Sequence, residues 1–183
     1  TMKNSVGVHQ WNPHNLLRSS EDFSSSDWDK TDTTVTTNAA MAPDGTLTAD
    51  LIVDGTTSSY HQCSTMATVT GVTYQWGWLV KYYNEQWLRF NINDDTVWID
   101  VENGVIGTDG TEGTTLTALA DGWYFMTCPD TAPDTSAYLA MSTAASDGSS
   151  TRVADGGYYA WGFALYRNDQ GGMATVPTSD RAL

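Results

Sequence analysis

Apolar and polar residues alternate along most of this chain with a period of two, in short runs. The clearest run lies in residues 72–82, where one face carries Tyr74, Trp76, Trp78 and Val80. Successive side chains of a strand point to opposite sides of a sheet, so this alternation predicts half-buried strands. Long runs with the i, i+3, i+4, i+7 spacing of helices are absent. The pattern therefore predicts an all-β protein.

Clusters of Gly, Asp, Asn and Ser separate the alternating runs. We predict strands over residues 33–39, 46–53, 60–69, 72–82, 86–92, 97–102, 123–128, 137–142 and 158–166. Many short strands at this spacing are typical of a sandwich or a barrel. No linker or repeat divides the chain, so we expect an N-terminal arm, residues 1–15, followed by a single domain, residues 16–183.

Charge and composition exclude several classes of protein. The 183 residues include 22 acidic and 8 basic side chains, which gives a formal net charge of −14. A surface of that sign repels phosphate backbones and anionic lipid headgroups, so we expect no nucleic-acid partner. No run approaches the roughly 20 apolar residues of a bilayer span, so we expect no membrane insertion. Aromatic residues make up 11% of the chain, which argues against a disordered acidic segment.

The N-terminal arm carries the apolar residues Val6, Val8 and Trp11. Ordering an extended segment costs conformational entropy that few contacts within the arm itself would offset. We therefore predict that the arm docks on a neighbouring subunit or partner.

Several motifs resemble those of a domain found in bacteriophage tail and other virion proteins. Residues 11–17 read WNPHNLL, residues 20–23 read SEDF, and Trp28 follows. Residues 42–50 read APDGTLTAD, which matches a second segment of that family. Later matching positions are residues 72–74, Lys81, residues 122–124, residues 161–162 and residues 174–178.

That family is similar to carbohydrate-binding modules. The resemblance implies a two-sheet antiparallel jelly-roll β-sandwich with an extended N-terminal arm and no enzymatic activity. It implies a bacteriophage virion structural protein, as a capsid decoration, fibre or tail component, on the virion surface after assembly in the bacterial cytoplasm. The expected partners are other virion proteins, further copies of the chain in a homo-oligomer, and host-surface polysaccharide. A glycan-binding module, alone or attached to an enzyme, is the alternative.

The stretch 86–102 offers the best candidate for a binding face. Its aliphatic residues alternate with a polar and aromatic set, and we expect residues 93–96 to form a hairpin loop. Asn91 would then face Trp98, Arg89 would face Asp100, and Trp87 would face Glu102. Indole rings stack on sugar rings and planar polar groups bond hydroxyls. The predicted glycan-contacting residues are Trp87, Arg89, Asn91 and Trp98, with Tyr83 at the rim.

Two other interpretations of this face remain open. Arg89 and Asp100 would then form an ordinary cross-strand ion pair, worth roughly 0.2–1 kcal/mol. The tryptophans would either contact another subunit or pack under a loop of the same domain.

An enzyme is a remote alternative. Residues 98–102 read WIDVE and resemble the E-x-D-x-E strand of jelly-roll glucanases. Glycoside hydrolysis needs two carboxyl groups roughly 5–9.5 Å apart, and Trp98 stands where the nucleophilic Glu would be. We therefore predict no catalytic residues, leaving only a degenerate hydrolase as the remote alternative.

Metal and thiol chemistry are weakly indicated. The three histidines are scattered, so no metal site and no cofactor are expected. Aspartates in the turns offer oxygens to a structural calcium ion, or bond their own backbone as solvated turn residues. Cys63 and Cys128 are either separate buried thiols or a disulfide.

Overall fold

The computed structural model describes residues 2–3, 9–10, 15–56 and 60–168, and the side chains of residues 15–56, 60 and 68–168. Fourteen strands make up this part of the chain. In chain order they are β1 (Met2–Lys3), β2 (His9–Gln10), β3 (Asp29–Thr31), β4 (Thr33–Ala40), β5 (Ala49–Asp54), β6 (Tyr60–Ala67), β7 (Thr73–Tyr82), β8 (Trp87–Ile92), β9 (Asp95–Asp100), β10 (Val105–Asp109), β11 (Thr115–Ala118), β12 (Trp123–Thr131), β13 (Ser136–Ala144) and β14 (Gly157–Arg167).

The strands form two six-stranded antiparallel sheets. The front sheet has the order β10-β9-β8-β13-β6-β3, and the back sheet has the order β11-β12-β7-β14-β5-β4. This arrangement confirms the predicted two-sheet jelly-roll sandwich. In the N-terminal arm, β1 and β2 pair with each other, while Val6, Val8 and Trp11 lie outside the described residues. No helix among the described residues is long and apolar enough to cross a membrane.

All nine predicted strands are present, with ends displaced by three residues or fewer. Five strands were not predicted: β1 and β2 of the arm, and β3, β10 and β11, each of which lies at the edge of one of the two six-stranded sheets. An edge strand buries little of either face, so its sequence shows little alternation. The signal that identifies a strand is thus strongest where neighbours cover it on both sides.

An aromatic cluster joins the two sheets. The ring of Phe163, on β14, lies 4.8 Å from that of Phe23 and 5.7 Å from those of Trp28 and Trp78. Trp78, on β7, lies in turn 5.0 Å from Phe90 on β8 of the front sheet. The inward face predicted for residues 72–82 is therefore confirmed.

A bulge in β14 supplies Phe163 to this cluster. Gly162 has a φ of +62°, and the ladder between β14 and β7 shifts register next to it. The backbone groups released by the bulge find partners in the segment before β3. The Phe163 N–H donates to the carbonyl of Ser20 at 2.9 Å, and Asn15 Nδ2 donates to the Phe163 carbonyl at 2.7 Å. Asn15 of the WNPHNLL motif therefore completes the sheet.

The outer face of the back sheet is largely covered. Leu79, Trp123 and Trp161 are buried there together with Ala42, from the loop that follows β4. Trp123 Nε1 donates to the carbonyl of Met41, in that same loop, at 3.1 Å. The outer face of the front sheet is therefore the better candidate for a ligand-binding surface.

We expect Phe163→Ala to lower the free energy of unfolding by about 3–5 kcal/mol, since it leaves a cavity among the rings of Phe23, Trp28 and Trp78. Urea unfolding followed by tryptophan fluorescence measures the change. Leu47→Ala is the matched control, because Leu47 is 57% exposed and its truncation should cost no more than about 0.5 kcal/mol. Equal losses in the two variants would contradict the central role of Phe163.

Candidate functional site

The predicted hairpin is present, but its loop is shorter than expected. Ile92 pairs with Asp95, so only Asn93 and Asp94 connect β8 to β9. Asn93 has a φ of +50°, as the first position of a two-residue hairpin turn requires. The four-residue loop over residues 93–96 was therefore wrong.

The cross-strand pairs shift accordingly. Arg89 lies opposite Trp98, Trp87 opposite Asp100, and Asn91 opposite Thr96. The predicted pairs of Asn91 with Trp98, Arg89 with Asp100 and Trp87 with Glu102 were wrong by two residues. Side chains repeat with period two, so a shift of two leaves every side chain on its predicted face.

A cleft of 190 Å³ opens on the outer face of the front sheet. It lies over β8 and β13, beside the start of β6 and the loop of residues 145–156. Its polar and aromatic lining residues are Tyr60, Arg89, Asn91, Tyr138, Ser142 and Arg152.

Small residues on β13 leave room for this cleft. Ala140 pairs with Asn91 and Ser142 pairs with Arg89, so the two long polar side chains of β8 face short neighbours. Tyr138 stands at one end, where its hydroxyl donates to the carbonyl of Asn93 in the hairpin turn. The cleft is therefore formed by regular strands, which hold their side chains more rigidly than loops do.

Arg89 is held against Trp98. Its guanidinium carbon lies 5.7 Å from the centroid of the Trp98 ring, within the range of a cation–π contact. Its Nε is buried and has no hydrogen-bond partner among the described residues. Burial lowers the pKa of Arg89, and the positive charge of Arg152 lowers it further.

Arg152 enters the cleft from the loop between β13 and β14. Its Nη1 donates to the carbonyl of Ser150 at 3.1 Å. Its Nε, like that of Arg89, is buried without a partner in the described part of the chain. The cleft thus holds two guanidinium groups, and none of its lining residues in the described part of the chain carries a carboxylate.

The two tryptophans of the predicted face lie beside the cleft under the same loop. Trp98 Nε1 donates to the carbonyl of Ser149 at 2.8 Å. Trp87 packs so closely on Gly107 that a Cβ there would lie 2.7 Å from its ring and 2.4 Å from an oxygen of Asp147. The structure therefore favours the interpretation in which the tryptophans pack within the domain.

Tyr83 lies apart from the other predicted residues. Its ring contacts that of Tyr159, on β14 of the back sheet, edge to face at 5.5 Å. Of the predicted set, Arg89 and Asn91 line the cleft together and Trp98 supports Arg89. The structure does not bring Tyr83 to this cleft.

Sequence reasoning missed four lining residues: Tyr60, Tyr138, Ser142 and Arg152. Tyr138 and Ser142 alternate with the buried Leu139 and Met141, so the period-two pattern of β13 already placed them on the outer face. Arg152 lies in a loop, where no periodicity indicates which way a side chain points.

The carboxylates suggested by the hydrolase motif are not arranged for catalysis. Asp100 accepts hydrogen bonds from Gln86 Nε2 at 2.7 Å and from the Asn103 backbone and side chain at 2.8 Å. Burial raises the pKa of Asp100, but these hydrogen bonds outweigh it, so the pKa is lowered. Glu102 lies outside β9, in an exposed turn. Asp100 therefore serves as an anionic anchor of that turn.

The remaining titratable groups have structural roles. Asp44 and Asp109 accept hydrogen bonds from the backbone of Thr46 and Thr111, in the turns that they begin. No three His, Cys, Asp or Glu side chains among the described residues are grouped to hold a metal ion. Cys128 carries a free buried thiol, and burial raises its pKa to about 11, which makes it unreactive. The Cys63 side chain lies outside the described residues.

A buried carboxylate ties the sheets together beside the cleft. Asp54, at the end of β5, accepts hydrogen bonds from Thr143 N at 2.7 Å and from Thr143 Oγ1 at 2.8 Å. Burial raises the pKa of Asp54, and the bonds from Thr143 and the charge of Arg152 offset only part of that rise. Thr143 belongs to β13, so this contact joins the back sheet to the strand that floors the cleft.

Solved structures share this fold at low sequence identity. The CBM22-1 xylan-binding domain of Paenibacillus barcinonensis Xyn10C superposes with a TM-score of 0.53 and 15% identity over 88% of this chain and 97% of that one. The CBM22-1 and GH10 modules of Clostridium thermocellum endo-1,4-β-D-xylanase 10B superpose with a TM-score of 0.52 and 14% identity. This match covers 91% of this chain and 30% of that one. The enzymatically active domain of tailspike protein 4 of bacteriophage CBA120 superposes with a TM-score of 0.50 and 15% identity. This match covers 84% of this chain and 21% of that one.

These similarities define the class of the fold. The protein has the jelly-roll architecture of carbohydrate-binding modules, as the resemblance implied. The chain spans about a fifth of the tailspike domain and about a third of the xylanase structure, and nearly all of the isolated xylan-binding domain. No protein-family model matches the sequence, and no curated protein matches it.

We expect Asp54→Asn to become more stable relative to the wild type as the pH rises from about 3.5 to 7. The native state holds the Asp54 proton above the unfolded pKa of about 3.9, so it binds more protons than the unfolded state in that window. The contribution of Asp54 to the free energy of unfolding of the wild type is therefore lost as the pH rises through its raised pKa. The amide in the Asp54→Asn variant does not titrate, so that variant has no such loss.

Urea unfolding at several pH values measures the difference in free energy between the two proteins. Glu102→Gln, an exposed carboxylate, controls for the change of one net charge. A difference that stays constant or falls with pH would contradict the raised pKa of Asp54.

Proposed function

We propose that the protein is a non-enzymatic glycan-binding module whose ligand occupies the cleft on the front sheet. The observation that carries this proposal is the composition of the cleft, in a fold shared with a xylan-binding domain. Two tyrosine rings, an amide, a hydroxyl and two guanidiniums converge there. Aromatic faces with a few placed polar groups are the usual composition of small-ligand sites.

The size of the cleft suits one unit of a longer chain. Its 190 Å³ is below the roughly 300–1,000 Å³ of pockets that enclose a drug-sized ligand. An open cleft over regular strands lets the flanking units of a polysaccharide leave on both sides. The proposed ligand is therefore a glycan chain from which one sugar enters the cleft.

The lining argues against catalysis of sugar cleavage. Hydrolysis of a glycosidic bond needs an acid and a second carboxylate on either side of it. No Asp or Glu lines this cleft among the residues that the structure describes, and Asp100 is held in a neighbouring turn. A binding role fits these residues better than a hydrolytic one.

We further propose that this module belongs to a bacteriophage virion, as a capsid decoration, fibre or tail component. The virion-protein motifs, such as WNPHNLL, support the proposal, as does the fold shared with the tailspike domain. The protein would then lie on the virion surface as a homo-oligomer, contact other virion proteins and bind host-surface polysaccharide. A glycan-binding module alone or attached to an enzyme is the second candidate, favoured by the xylanase modules.

We expect Tyr60→Ala and Asn91→Ala each to weaken glycan binding by about tenfold, the effect of roughly 1.4 kcal/mol of lost stacking or hydrogen bonding. A glycan array identifies the ligand, and titration calorimetry then measures each variant. Tyr83→Ala is the control, since Tyr83 contacts the back sheet and should bind as the wild type does. Unchanged binding in both cleft variants would exclude this cleft as the site.

We expect deletion of residues 1–10 to abolish incorporation into the virion while leaving the domain folded. Val6 and Val8 belong to this segment, and its apolar side chains are proposed to dock on a partner. Complementation of a phage lacking the gene measures incorporation, and thermal unfolding of the purified chain checks the fold. Normal incorporation of the shortened chain would refute the docking role.

A further inference from the structure

We infer that the cleft selects an acidic sugar, whose carboxylate is bound by Arg89 and Arg152. This inference rests on the proposed function, because it names the chemical class of sugar that the same cleft receives. The ligand would be a uronic acid unit within a polysaccharide.

The distribution of charge is the first argument. The chain has only 8 basic residues against 22 acidic ones, yet two of the eight line a single small cleft. Within the described ranges of the chain, none of the lining residues is an Asp or a Glu. Two positive charges that line one cleft repel each other, so an anion bound between them relieves that repulsion.

Unused hydrogen-bond donors are the second argument. The Nε atoms of Arg89 and Arg152 are both buried, and neither has a partner within the described part of the chain. Most buried polar groups in proteins are hydrogen-bonded, so an acceptor supplied by a ligand would satisfy donors that the described residues leave unpaired. A carboxylate offers two acceptor oxygens in the plane that a guanidinium fork matches.

The surroundings of Arg89 prepare it for this role. Its guanidinium lies over the Trp98 ring, and Trp98 is itself fixed by its hydrogen bond to Ser149. A side chain held in this way loses little further freedom when the ligand binds. Burial and the positive charge of Arg152 lower the pKa of Arg89, and an anion bound beside Arg89 would stabilise its charged form.

Asp54, whose negative charge interacts with Arg152, does not occupy the proposed anion site. Asp54 attracts Arg152, but it is fully buried and its Oδ2 is already bonded twice by Thr143. Nor does the net charge of −14 prevent an anion from binding. Charges beyond about 8 Å are largely screened at physiological ionic strength, while the two guanidiniums act at contact distance.

The remaining lining residues suit the rest of a sugar. Asn91 and Ser142 present an amide and a hydroxyl to ring hydroxyls, and Tyr60 and Tyr138 present aromatic rings. An inorganic anion would need none of these groups. Together they favour a carboxylate carried on a sugar ring.

The test compares polygalacturonate with its fully methyl-esterified form, which keeps the backbone and removes the charge. We expect the full-length protein to bind the acidic form about tenfold more tightly or better by titration calorimetry. Arg89→Gln and Arg152→Gln should each abolish that preference. Arg18→Gln, which removes the same charge from an exposed position, should keep it. Thermal unfolding checks each variant, and the loop position of Arg152 provides a second variant that leaves the strands intact.

The outcomes separate this inference from the proposed function. Equal binding of both forms, with the glycan still bound, would overturn the choice of an acidic sugar and leave the glycan-binding role standing. Binding of dextran sulfate but not of polygalacturonate, lost in the Arg89 and Arg152 variants, would also overturn it, since the anion would then be a sulfate. No binding of any array glycan would overturn the proposed function itself.

Discussion

The packing of Phe163 against Phe23, Trp28 and Trp78 is the contact on which the rest of this molecule depends. It requires a bulge in β14 at Gly162, because a regular strand would not give up the ladder bonds that Asn15 and Ser20 take over. The segment before β3 is thereby fixed to the back sheet, and Phe23 and Trp28 close over the same ring. The segment before β3, the bulge at Gly162 and the aromatic cluster around Phe163 therefore depend on one another.

Sequence alone indicates which face of each central strand is buried, and it does so well. Alternation in residues 86–92 places Leu88 and Phe90 inside and Arg89 outside, as found. It does not determine pairing, because a hairpin shifted by two residues satisfies the same pattern. The turn decides the register, through the positive φ of Asn93, and that conformation leaves only a weak mark in the sequence.

The candidate site shows a different limit of prediction. Trp87 and Trp98 are predicted glycan contacts because indole rings stack on sugar rings. In the structure, however, a loop some 50 residues later in the chain packs on them. The same loop delivers Arg152 to the cleft. Long-range contacts of this kind depend on the path of an irregular segment, which carries no periodic signal. Aromatic residues therefore mark a region of the sheet without showing which of them a ligand reaches.

The alternation of outward and buried residues in the first part of β13 has a consequence for how such a protein evolves. Tyr138, Ala140 and Ser142 border the cleft, and each is followed in the chain by a residue of the buried side. Point mutations at Tyr138 and Ala140 leave the buried Leu139 and Met141 in place, so recognition can drift while the architecture persists. Loss of a single codon within this strand would instead exchange the two sides, destroying recognition and folding together. Selection at this strand should therefore tolerate substitutions at the outward positions and reject insertions and deletions.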